Sequence, residues 1–167
     1  MTPDVFTADF VGRPGERIFY LQARGPEGVQ SFLIEKQQVA VLVEKLQEML
    51  LAIDPEDTVK SATPQRDPGL ALDQPVEPEW RIGTMGLLHD EERDLVVLLL
   101  QELRDDEEDE DEDEDVRFAL RRDQVRSLVL HAVAAVGEGR PLCQLCGLPM
   151  DPDGHTCPAS NGHRSSG

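Results

Sequence analysis

The residues best suited to chemistry lie near the end of the chain. Cys143 and Cys146 form a C-x-x-C knuckle with Gly147 behind its second cysteine, and His155 and Cys157 follow after a return rich in Pro, Asp and Gly. Zinc takes thiolates and imidazoles in a tetrahedron, and a structural site is closed by four protein ligands. The knuckle aims two sulfurs at one ion, backbone amides near Gly147 stabilise the thiolates, and the Asp153-Gly154 turn brings His155 and Cys157 back to it. His163 is the alternative fourth ligand; His155 is preferred because it follows that turn directly. With four ligands present no position stays open for water, so the zinc is expected to be structural rather than catalytic. A redox pair is the competing reading of the knuckle, but no β-α unit carries it into a helix start.

Other candidates are weaker. His131 lies in a helical stretch among Leu130, Ala132 and Val133, where a lone histidine is more often structural than catalytic. His89 sits in a polar stretch with Asp90 and Glu91 and is not expected to be catalytic. Trp80 beside Arg81 is expected in the core rather than as a partner anchor. The sequence has no P-loop, no dinucleotide fingerprint and no nucleophile elbow.

Charge narrows the function classes. The 167 residues carry a formal net charge of -18, with 16 Lys plus Arg against 34 Asp plus Glu. Such a surface is unsuited to phosphate backbones or anionic membranes, so neither nucleic acid nor a membrane is an expected partner. Asp105 to Asp115 is an unbroken run of 11 acids, which leaves -7 for the rest of the chain. This run lacks the central glycine and mixed ligands of a calcium loop and reads as a solvated insertion. Three cysteines in one cluster form a poor disulfide framework. The N-terminus lacks the basic and apolar regions of a secretory signal, and Leu95–Leu100 is too short to span a bilayer. A cytoplasmic location follows as the expectation.

The positioning elements come from the periodicity. Strands are predicted over Val5–Val11, Arg17–Arg24 and Val29–Glu35, the last two joined by a tight connection at Gly25-Pro26-Glu27-Gly28. Val39, Leu42, Val43, Leu46 and Leu50 then fall on one helix face, and Asp54-Pro55 stops the helix. Residues 54–78 hold Pro55, Pro64, Pro68, Pro75 and Pro78 and read as an extended linker. Strands follow over Trp80–Leu88, Leu95–Leu103 and Val116–Leu120. The second helix runs to Val136, with Asp123 as its N-cap and Gly137 and Gly139 at its end.

Sliding the chain by 86 residues sets Phe32 on Phe118, Gln38 on Gln124, Val39 on Val125, Leu42 on Leu128 and Val43 on Val129. Five identities in twelve positions compare with about one expected from ordinary residue usage. The expected architecture is therefore α+β: two duplicated β-β-β-α halves sharing a mainly antiparallel sheet with two helices, plus a zinc tail. The segments are 1–53, the proline-rich linker 54–78, 79–139 with the acidic insertion 105–115, and the tail 140–167. The sequence leaves open whether the sheet curls toward a barrel.

Phe19-Tyr20-Leu21-Gln22-Ala23-Arg24-Gly25, the Ser31–Val39 junction, Trp80-Arg81-Ile82-Gly83, Arg117-Phe118-Ala119-Leu120 and the cysteine tail together resemble an uncharacterised actinobacterial repeat-protein family, domain of unknown function three-thousand-ninety. The resemblance covers nearly the whole chain. It implies a cytoplasmic actinobacterial protein without established activity, and it carries the tail motif onto Cys143, Cys146, His155 and Cys157. Members of that family are encoded near a phosphatase-like and a kinase-like protein, which are the partners it suggests. The expected function is a non-enzymatic protein-binding or adaptor module. The alternative is an enzyme or small-molecule binder with a pocket between the halves.

Overall fold

Successive side chains of a strand point to opposite faces, and the computed structural model shows how this chain uses that rule. The structure describes residues 1–13, 15–103 and 115–137. In β1 (Val5–Val11), Phe6 and Ala8 alternate with Thr7 and Asp9, and all four are buried. Antiparallel β2 (Ile18–Gly25) sets Ala23 beside Phe6 and Gln22 beside Thr7. Strand β3 (Gly28–Ile34) extends both rows, with Phe32 beside Leu21 and Ser31 beside Gln22. One face of these strands is therefore apolar and the other is polar yet still buried. Gly28 closes the β2–β3 hairpin at φ 111°, a conformation glycine adopts without a Cβ penalty.

Helix α1 (Lys36–Ile53) follows at once and buries Val39, Leu42, Val43, Leu46 and Leu50, the stripe the spacing predicts. Gln38 accepts the Glu35 N–H at 2.8 Å and closes the first turn. Its amide also donates to the Ile82 carbonyl of the strand that begins the second half. That half is built from β4 (Pro78–Asp90), β5 (Leu95–Glu102), β6 (Asp115–Leu120) and α2 (Arg122–Gly137). Helix α2 buries Val125, Leu128, Val129, Ala132 and Ala135. Gln124 repeats the double role of Gln38: it accepts from Arg121 N–H at 2.9 Å and donates to the carbonyls of Pro3 and Asp4, just ahead of β1.

The strands form one mixed sheet in the order β1-β2-β3-β4-β5-β6. Only β3 and β4 run parallel, paired at Ser31–Pro78 and Leu33–Arg81. The two ends of the sheet also touch. The Met1 ammonium donates to the Arg117 carbonyl at 3.1 Å, and Ala119 N–H donates to the Met1 carbonyl at 2.7 Å. These bonds, flanking Phe118, curl the sheet toward a barrel. Inside it Phe6 and Phe118 lie 5.2 Å apart between ring centroids, Phe32 and Phe118 6.0 Å, and Phe32 and Trp80 4.6 Å. Trp80 thus packs against the core, as expected.

Several boundaries differ from the sequence reading. Helix α2 starts at Arg122, so Asp123 lies in the first turn and is not the N-cap. Its carboxylate pairs with Arg121 at 2.9 Å, and the capping work falls to Gln124. Strand β4 extends to Asp90 and includes His89. It also begins at Pro78, the last residue of the expected linker, because proline is tolerated at the first position of a strand. Asp115, the last acid of the expected insertion, already belongs to β6. In β4 the register slips between Ile82 and Thr84. A Cβ on Gly83 would come within 2.7 Å of Leu103 Cα, so the bulge requires glycine there.

The largest difference concerns residues 54–77. The prolines do exclude a helix interior, but the segment is not a spacer. It forms a strap with a short 3-10 turn at Pro68–Leu70 and buries Val59 to 1 % exposure. The polar face of β1 and β2 is what it lies against.

Candidate functional site

The first concentration of polar chemistry lies between β1 and α2. Asp9, 2 % exposed, accepts four hydrogen bonds there. Arg66 of the strap reaches both carboxylate oxygens at 2.9 and 2.7 Å, the Phe10 amide donates at 2.8 Å, and His131 Nε2 lies 2.8 Å from Oδ2. On the other side of the ring, His131 Nδ1 accepts the Asp67 N–H at 2.9 Å. A backbone N–H can only donate, so Nδ1 carries no proton and Nε2–H donates to Asp9. Burial pushes the Asp9 carboxyl up, but the His131 and Phe10 hydrogen bonds and the Arg66 charge outweigh it and hold the carboxyl below its ordinary value. Both ring nitrogens of His131 are thus engaged within the chain, which agrees with the structural role expected for it.

The same pattern continues along the strap. Thr7 Oγ1 donates to the Leu70 carbonyl at 2.6 Å. Gln22 accepts the Asp73 N–H at 2.7 Å, and its amide donates to the Asp73 carbonyl and to Ser31 Oγ. Arg24 donates to the carbonyls of Gly69 and Ala71. On α2, Leu130 supplies a carbonyl to the Gln65 N–H, and Arg126 pairs with the buried carboxylate of Asp57. Buried polar groups are costly unless satisfied, and here the strap's backbone satisfies them.

His89 enters a second, exposed cluster. Its Nε2 lies 3.0 Å from Asp94 Oδ1, which also accepts from Arg122 at the same distance. The His89 and Arg122 hydrogen bonds hold the Asp94 carboxyl below its ordinary value. Asp94 closes the β4–β5 turn at φ 55°, and the cluster fixes that turn against the start of α2.

The third feature is a groove of about 860 Å³ between α1 and β4. Val41, Leu42 and Met49 line it from the helix, and Met85 and Leu87 from the strand, with Gly83 and Gly86 leaving its floor bare. Val41 is 51 % exposed, and Leu88 just beyond is 43 % exposed. An exposed Lys45–Glu48 pair at 3.5 Å supplies the charge along the helix side.

Cys143, Cys146, His155 and Cys157, with the alternative His163, lie outside the described residues, as does most of the acidic run. Among the described residues no group of three or more His, Cys, Asp or Glu side chains is arranged to hold a metal. Among them, too, no helix is long and apolar enough to cross a membrane. The cluster the sequence reading missed is Asp9 with Arg66. Its only local signal is the placement of Thr7 and Asp9 on a strand that is buried on both faces.

Fold and site together define a mixed α+β protein whose sheet curls on itself under two helices, with one polar groove filled by its own strap and one apolar groove open. The family model described as "Protein of unknown function (DUF3090)" matches residues 1–157, and the chain belongs to that family. No curated protein and no solved structure matches it.

Proposed function

We propose that the chain is a cytoplasmic, non-enzymatic adaptor: a duplicated β-β-β-α body that binds a partner protein, with a structural zinc module at its C-terminus. The observation that carries the adaptor reading is the open α1–β4 groove. Methionine, leucine, valine and glycine dominate its walls, the composition of a surface that accepts apolar side chains of another protein. An enzyme site would call for converging polar groups. The richest such group, around Asp9 and His131, is instead engaged by the chain's own strap.

Duplication is supported by more than the 86-residue echo. Gln38 and Gln124, equivalent in that register, each cap their own helix and each bond the backbone at the start of the other half. Ser31 and Leu33, which pair with β4, are equivalent to Arg117 and Ala119, which bond Met1. Fusion of two such halves accounts for both contacts with one rule.

The zinc reading rests on donor chemistry: three thiols and one imidazole in a short span make one closed tetrahedral set. Metal analysis of the full chain, purified without chelator, should return about one zinc per molecule. Cys146→Ser should release it and His163→Ala should not; retention in the first or loss in the second refutes the ligand set. The adaptor reading is tested by affinity capture from native cells, where the kinase-like and phosphatase-like neighbours are the named expectations. A capture that returns no stoichiometric partner contradicts it.

A further inference from the structure

We propose that the α1–β4 groove binds an extended, apolar, proline-containing segment of a partner protein, bearing an acidic side chain that meets Lys45. The inference deepens the adaptor reading and rests on it and on the duplication. Its foundation is that the twin of this groove is already filled. In the 86-residue register, Gln37, Gln38 and Val41 correspond to Asp123, Gln124 and Ser127, and Lys45 corresponds to His131. Asp123, Gln124 and Ser127 border strap residues Asp67 and Leu70, and His131 bonds the strap directly. The proline-rich strap therefore lies along α2 and β1 where, one repeat earlier, α1 and β4 enclose open space.

The occupied groove indicates what its twin accepts. Its occupant is an extended chain interrupted by Pro64 and Pro68, too irregular to be a helix and narrow enough to lie between a strand and a helix. The walls set the side chains. The filled groove presents the Asp9 carboxylate and receives a cation, Arg66. The open groove presents the Lys45 ammonium, so the complementary occupant brings a carboxylate. Where the filled groove uses polar Thr7 and Asp9, the open one offers Val41, Met49, Met85 and Leu87, so the rest of the occupant is apolar. Gly86 leaves room for it: a Cβ there would meet nothing closer than 3.8 Å, from the Leu99 side chain.

The probe is a random dodecapeptide display library selected on the full-length protein, with enriched peptides synthesised and titrated into isotope-labelled protein. Enriched peptides should combine proline, apolar residues and an acid, and should shift the amides of Gly83 and Gly86. Their affinity should fall at least tenfold in Val41→Glu and in Gly86→Trp, should fall severalfold in Lys45→Glu, and should be unchanged in Thr63→Glu on the strap. Val41 is surface-exposed, so its variant keeps the test available if Gly86→Trp fails to fold. The proposal is overturned if no peptide reaches the groove or if Val41→Glu binds equally well. It is also overturned if the groove amides report self-association or occupation by a segment of the chain itself. Failure of the capture from cells described above would instead remove the adaptor reading, with the peptide result standing separately.

Discussion

The two grooves of this protein are built from matching elements and end differently. Between β1 and α2, buried Thr7, Asp9 and His131 meet a strap that supplies its backbone and Arg66. Between β4 and α1, glycines and apolar side chains leave the space open. A buried carboxylate is tolerable only with donors around it, so the polar groove depends on its strap. The apolar groove has no such dependence and stays intact when empty. The difference separates a joint that holds the fold together from a surface free to bind.

Removing the joint should be the most damaging change. Asp9→Ala leaves Arg66 and His131 facing a vacancy, and urea denaturation should show a loss of about 3–5 kcal/mol, the usual result of deleting one member of a buried ion pair. A loss under 1 kcal/mol would break the contrast, because the strap would then be an ornament. The equivalent core leucines come next. Leu42→Ala and Leu128→Ala should each cost about 2–5 kcal/mol and resemble one another, since both are nearly fully buried at matched positions. A large disparity would argue that the halves are packed by different rules. Below these, Gln38→Ala and Gln124→Ala should each cost about 1 kcal/mol and add in the double variant. The smallest effect separates two glycines of the open groove: Gly86→Ala should be near neutral, whereas Gly83→Ala should be the more destabilising of the two because of the Leu103 backbone.

The joint also carries a pH signature. The folded-state Asp9 carboxyl lies below its ordinary value of 3.8, so its contribution is complete above that value and disappears as pH falls through the lower folded one. Acid unfolding followed by circular dichroism should show this loss, and Asp9→Asn should flatten it.

Periodicity made most of the framework legible. The alternation of β1 and the three-four spacing of Val39, Leu42, Val43, Leu46 and Leu50 were readable because each depends on neighbours a few residues away. The strap was not, because its packing depends on pairs such as Asp9 with His131, 122 residues apart, and on backbone groups that every residue shares. Proline content distinguishes what residues 54–77 cannot be, not what they touch. The closure of the sheet through Met1 was hidden for the same reason, since it uses only main-chain atoms and the terminal ammonium of that residue. Gly83 and Gly86 read as weaknesses in a strand; one is a bulge and the other the floor of the groove.

Photo-cross-linking from two positions of the full-length protein in its native cells tests the central claim most directly. A photoreactive residue replaces Thr84 beside the open groove or Thr63 on the strap, and the adducts are mapped by mass spectrometry. The account predicts an adduct to one extended segment of a different protein from position 84, abolished by Val41→Glu, and none from position 63. The same adduct from both positions, or an adduct from position 84 that survives Val41→Glu, would contradict it.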